Sequence, residues 1–169
     1  GEVQIPSYKA FLLDAIASDE EKDASFVEYV DNFRSVDPSC YEPPACLASV
    51  LRPYQVSGYQ WLSALVDMGF GGILADEMGL GKSVQLISLL LARRGRGATL
   101  VVCPASLVYN WEAEFAKFAP QLDVAVVAGS ADERARIRGE CGHEVLITSY
   151  DLLRRDIEGY ARLDFWCEA

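Results

Sequence analysis

The 169-residue chain carries 25 acidic and 15 basic side chains, a formal net charge of −10 with its one histidine neutral. With 51% hydrophobic and 24% charged residues it falls among ordinary globular proteins, away from disordered or collagen-like sequences. No run approaches the roughly 20 apolar residues of a membrane span, no secretory signal is visible, and the acidity argues against a protein that coats nucleic acid through Lys and Arg. The charge is uneven. Residues 1–50 hold 10 acidic and 3 basic side chains, a balance of −7, whereas residues 51–169 hold 15 and 12, a balance of −3. The five cysteines (Cys40, Cys46, Cys103, Cys141 and Cys167) form an odd set without a C-x-x-C pair, which reads as thiols in a reducing compartment rather than a zinc site or disulfide framework. An intracellular protein is the default expectation.

In chain order, residues 7–17 have Phe11, Leu12, Ala15 and Ile16 at helical spacing. Ser25 is placed to cap a second helix from about Phe26 to Phe33, with Val27, Val30 and Phe33 as its apolar positions. Residues 1–36 thus read as an acidic helical arm. Three prolines between Asp37 and Pro44 exclude regular helix, so residues 37–49 are expected to be a Pro-rich linker. The body, residues 50–169, alternates helices with short apolar strands. Arg52-Pro53 opens a helix with Tyr54, Trp61, Leu62, Leu65 and Val66 as its periodic positions. Strands are expected at 72–75, 99–103, 124–127 and 145–148. Helices are expected at 82–93, at 106–118 with Ser106 as N-cap, at 132–138 and at 151–157. Apolar strands separated by helical stretches imply an α/β fold, a parallel sheet covered on both faces.

The most informative stretch is Asp76-Glu77-Met78-Gly79-Leu80-Gly81-Lys82-Ser83, between an expected strand and a helix. Glycines there let successive N–H groups turn toward phosphate oxygens, and the helix start adds its positive dipole end. Lys82 can reach the β- and γ-phosphates, and the Ser83 hydroxyl can ligate Mg²⁺. Asp76 stands where the phosphate-loop pattern has its first glycine. Glu77 has no role that its chemistry dictates.

These residues resemble the Swi/Snf-type ATPases of helicase superfamily two. The resemblance rests on Leu51-Arg-Pro-Tyr-Gln55, on residues 72–83, on Val102-Cys-Pro-Ala-Ser-Leu-Val-Tyr-Asn-Trp111 as motif Ia and on Ile147-Thr-Ser-Tyr-Asp151 as motif Ib. In that family the first glycine is commonly replaced, as Asp76 does here. The acidic arm with its Pro-rich exit looks more like bacterial members. The resemblance implies the first part of a RecA-like lobe one, preceded by the short arm. It also implies ATP and Mg²⁺ as ligands, ATP hydrolysis, and a double-stranded DNA track, with a DNA-bound protein as a further partner. Gln55 would then read the adenine edge, a task an amide suits because it donates and accepts at once, with Arg52 supporting the same pocket. Lys82 would be the catalytic lysine, and the cradle would run through Asp76, Glu77, Met78, Gly79, Leu80, Gly81 and Ser83. The implied location is cytoplasmic, nucleoid-associated in a bacterium or nuclear in a eukaryote.

DNA contact by the same resemblance falls to Pro104, Ser106, Thr148 and Ser149, since hydroxyls and backbone amides hold phosphates without net positive charge. The basic residues add little. Arg93, Arg94 and Arg96 follow a helix end that attracts cations, Arg134, Arg136 and Arg138 read as a solvated surface, and His143 as a loop residue. Trp111 has core spacing. Hydrolysis also needs a carboxylate for Mg²⁺ and an acid for water, which the family carries in an Asp-Glu motif after motif Ib. No such pair follows residue 151. The chain is therefore expected to be a fragment without turnover of its own, and a non-catalytic nucleotide-binding or protein-interaction module is the alternative.

Overall fold

The computed structural model describes residue 14 and residues 16–18, 22–140 and 142–169; most of the expected first helix lies outside these. Four short strands form one all-parallel sheet: β1 (Ala98–Cys103), β2 (Val124–Val126), β3 (Val145–Ser149) and β4 (Phe165–Glu168), in the order β2-β3-β1-β4. Register is set by the apolar runs. Thr99 lies opposite Val145 and Cys103 opposite Ser149, while Cys167 lies opposite Thr99 on the other side.

Side chains alternate across this sheet, as the two-residue period of a strand requires. Val101, Cys103, Val145 and Ile147 face one layer with Ile87, Leu90, Val108 and Phe115. That layer holds α4 (Lys82–Ala92) and α5 (Val108–Phe118). Leu100 and Leu146 face the opposite layer with Ile137, Leu153 and Tyr160, which belong to α6 (Ala131–Gly139), α7 (Tyr150–Arg155) and α8 (Ile157–Tyr160). Both faces are covered, so the strands are continuously apolar rather than alternating.

The preceding elements are α1 (Ala24–Ser35), α2 (Ala45–Ala48) and α3 (Pro53–Asp67). The Pro-rich segment is not regular helix throughout. It makes a 3₁₀ turn at Pro38–Cys40 and then α2, whose Leu47 is buried with Leu51 and Val84. The Tyr59 hydroxyl donates to the Glu42 carbonyl at 3.0 Å. Residues 37–49, expected as a linker, are thus packed onto the lobe.

Several expectations change. Asp23, not Ser25, caps α1: its carboxylate accepts from the Phe26 amide at 2.7 Å, and the Ser25 hydroxyl donates to the same oxygen. A carboxylate takes both donors, which one hydroxyl at position 25 could not. Residues 72–75 form no strand. Gly72 instead lies against α3, where an added Cβ would stand 2.6 Å from Leu65 Cδ1 and 2.9 Å from Trp61 Cη2, and Ile73 is 87% exposed. The fourth strand is β4, an apolar triplet too short to separate from a buried helix segment by its pattern.

Ser106 caps nothing. A 3₁₀ turn at Ala105–Leu107 intervenes, closed by the Leu107 amide on the Pro104 carbonyl at 2.8 Å, and α5 begins after it without a side-chain cap. The last expected helix divides at Asp156 into α7 and α8. On α3 the buried face is Gln55, Tyr59, Ser63, Ala64 and Leu65, while Tyr54 and Trp61 are exposed. Gln85 and Ser88 of α4 are also buried, and Gln85 lies against Gly58 of α3.

Candidate nucleotide-binding site

The turn between residue 76 and α4 is built by two glycines in the left-handed region, Gly79 at φ +87° and Gly81 at φ +74°. Gly81 is constrained twice. Its φ disfavours other residues, and a Cβ there would stand 2.5 Å from Gln55 Nε2. The chain then enters α4 with Lys82 and Ser83 in its first turn. Among the described residues, the amides of Gly79, Gly81, Lys82 and Ser83 have no main-chain acceptor. Unpaired donors at a helix start form an anion site, reinforced by the helix dipole.

The loop is anchored from two helices. From α3, Gln55 Nε2 donates to the Leu80 carbonyl at 2.9 Å and the Tyr54 hydroxyl donates to the same oxygen at 3.1 Å. Gln55 Oε1 accepts from the Arg52 amide at 2.9 Å. From α4, Gln85 Nε2 donates to Asp76 Oδ2 at 3.2 Å. The Lys82 ammonium donates to the Asp76 and Glu77 carbonyls at 2.7 and 2.8 Å. Met78 is 95% exposed at the crest of the turn. Residues 76–83, Gln55 and Arg52 are therefore brought together, with the Arg52 main chain making the contact. The anchoring role of Gln85, one turn beyond Lys82, had no motif to announce it; the signal was a polar residue among Val84, Leu86 and Ile87.

The four residues expected at DNA lie at the carboxyl ends of β1 and β3, the side of a parallel sheet where ligands gather. Pro104 and Ser106 are exposed there. Thr148 and Ser149 are buried. The Thr148 hydroxyl donates to the Val127 carbonyl at 3.4 Å, and the Ser149 oxygen accepts from the Leu152 amide at 3.4 Å as the N-cap of α7. Both hydroxyls are thus bonded within the lobe.

The arginine-rich segment is also corrected. Arg134 is buried, and its Nε and Nη2 meet the two Asp156 oxygens at 2.7 and 2.9 Å while Nη1 donates to the Gly129 carbonyl at 2.7 Å. Arg138 Nη1 reaches Asp156 Oδ2 at 2.6 Å, and its guanidinium lies 5.0 Å from the Tyr160 ring centre. Hydrogen bonding to Arg134 first, with Arg138 adding to it, holds the Asp156 carboxyl down at about 2. Only Arg136 is solvated, paired with Glu140 one turn on. Arg93 pairs with Asp67 at 2.8 Å and Arg94 with Glu144 at 2.8 Å. Trp111 packs at the edge of the core beside Phe115.

Loop, sheet and helix start together define a phosphate-loop α/β lobe. The family described as SNF2-related domain matches residues 54–168, and the chain belongs to it. It is 40% identical over 158 residues to the helicase SWR1 of Candida albicans, covering 89% of this chain and 9% of that protein. It is 40% identical over 119 residues to an uncharacterised ATP-dependent helicase of Mycoplasma genitalium, covering 68% of this chain and 12% of that one. The SWI2/SNF2 ATPase core of Sulfolobus solfataricus, solved in complex with double-stranded DNA, superimposes with a TM-score of 0.63 at 34% identity, over 79% of this chain and 27% of that one. The chain spans about a tenth of the length of these curated relatives.

Proposed function

We propose that this chain is the ATP-binding portion of a DNA-dependent ATPase of the Swi/Snf type. The observation that carries the reading is the loop: at the start of α4 four amides lack main-chain acceptors among the described residues and one ammonium rests on loop carbonyls. Triphosphate oxygens accept from those amides, and Lys82 exchanges two loop carbonyls for phosphate, a charge-assisted bond stronger than the neutral-acceptor ones it leaves. Ser83, whose hydroxyl has no partner among the described residues, would hold Mg²⁺, which neutralises triphosphate charge.

Gln55 reads the adenine edge in this proposal. An amide has two N–H donors and one oxygen with two lone pairs. The bonds to Leu80 and Arg52 use part of that capacity and fix the amide plane, so what is left is pre-oriented. Duplex DNA lies over Pro104 and Ser106, with Thr148 and Ser149 shaping the neighbouring loop from inside. A near-neutral body permits this, because amide and hydroxyl contacts position a phosphate backbone without net charge. The reading also includes a protein client on that DNA and negligible turnover by residues 1–169 alone.

The test is steady-state ATPase activity of the protein carrying this chain, with and without double-stranded DNA. Hydrolysis rises with DNA and is lost in Lys82→Ala. A rate indifferent to both overturns the proposal.

A further inference from the structure

Gln85 is the least expected residue near the loop. It is fully buried on α4, with its Nε2 on Asp76 and its Oε1 without a partner among the described residues. A buried acceptor left unpaired destabilises the fold, and a Leu or Met of similar size would avoid that. The amide also dictates its surroundings. A Cβ at Gly58 would stand 1.8 Å from Gln85 Oε1, so α3 approaches α4 here only because residue 58 has no side chain. Among the described residues the one hydrogen bond of this amide goes to the phosphate loop.

Asp76 is held at both ends. Gln85 holds its carboxylate, and Lys82 holds its carbonyl. Only the first hold survives when Lys82 turns to phosphate. We propose that Gln85 and Asp76 are positioning residues of the nucleotide site. Their bond is a fixed pin that keeps the entry of the loop in place while Lys82 exchanges loop carbonyls for phosphate. Asp76 at the first-glycine position thereby acquires a function, since glycine could not be pinned from α4. The inference rests on the nucleotide-binding reading and names residues whose loss acts through Lys82.

The test uses the protein carrying this chain and measures thermal unfolding, Mg-ATP affinity and the separate KM and kcat for ATP. Gln85→Met removes the pin and the unpaired acceptor together. It leaves the melting temperature equal or higher, weakens ATP binding about tenfold, the scale of one hydrogen bond to a charged group, and acts on KM more than kcat. Asp76→Ala gives the same loss. Asp76→Asn, which keeps an accepting oxygen, restores affinity to near wild type, and the double variant Asp76→Ala/Gln85→Met is no weaker than either single one. Gly58→Ala, made on the other helix, displaces the same amide and shifts affinity the same way.

Wild-type affinity in Gln85→Met, or losses that multiply in the double variant, overturns the pin while Lys82→Ala still abolishes binding. If wild type and Lys82→Ala are equally unable to bind ATP, the nucleotide reading fails and the pin with it.

Discussion

The phosphate loop and the corner joining α6 to α8 are both fixed by polar side chains, but in opposite ways. The corner gathers three charges, buried Arg134 with half-buried Arg138 and Asp156, and matches them closely to one another and to the Gly129 carbonyl. The loop is held by neutral amides, a phenol and main-chain carbonyls, with one ammonium resting on acceptors it can leave. Buried, mutually satisfied charges cannot exchange partners without exposing an unpaired charge, so the corner suits a fixed joint. In the proposed reading Lys82 trades its two carbonyl acceptors for phosphate, while the neutral bonds from Gln55 and Tyr54 keep the loop's shape. In the same lobe the corner's charges are matched to one another, whereas the loop's one ammonium rests on neutral carbonyls.

That contrast can be broken most sharply at Asp156. Asp156→Ala leaves buried Arg134 and half-buried Arg138 without their shared carboxylate and lowers stability by about 2–3 kcal/mol, measured by chemical denaturation. The pH dependence follows from the same residue. Its folded carboxyl, at about 2, lies below the unfolded value of roughly 4. The stability it contributes, about 2 kcal/mol, is therefore present above pH ~4 and lost as pH falls toward 2. An Asp156→Ala variant shows a correspondingly shallower acid-unfolding profile. Gly81→Ala strains the loop instead, costing about 1–2 kcal/mol for the left-handed residue and weakening ATP binding, because its Cβ meets Gln55. Ser106→Ala is the smallest effect. It caps no helix, so stability changes by less than about 0.5 kcal/mol, and any consequence is confined to stimulation by DNA.

Much of this was legible in the residues. Apolar runs at 99–103, 124–127 and 145–148 became β1, β2 and β3, and the Gly79-Leu-Gly-Lys-Ser83 turn lies where its glycines placed it. Periodicity worked because those strands are buried on both faces. It failed where partners come from distant segments. Arg134 and Arg138 stand four residues apart on one helix face, but Asp156, 18 residues beyond Arg138, is what draws them inward. Gln85 looked like a polar interruption because its partners, Asp76 and the space left by Gly58, lie on other elements. The stretch Gly72-Ile-Leu-Ala75 has strand composition, yet the structure packs its glycine against Trp61 and Leu65 instead. The total charge also hid its own distribution, since most of the net negative charge lies in the first 50 residues.

The central claim is that residues 76–83 hold a triphosphate through loop amides and Lys82. Titrating the protein carrying this chain with a fluorescent ATP analogue and Mg²⁺ tests it most directly. The account predicts saturable binding that ATP displaces and that Lys82→Ala weakens at least tenfold, the worth of one charge-assisted contact. Equal affinity in wild type and Lys82→Ala would contradict it.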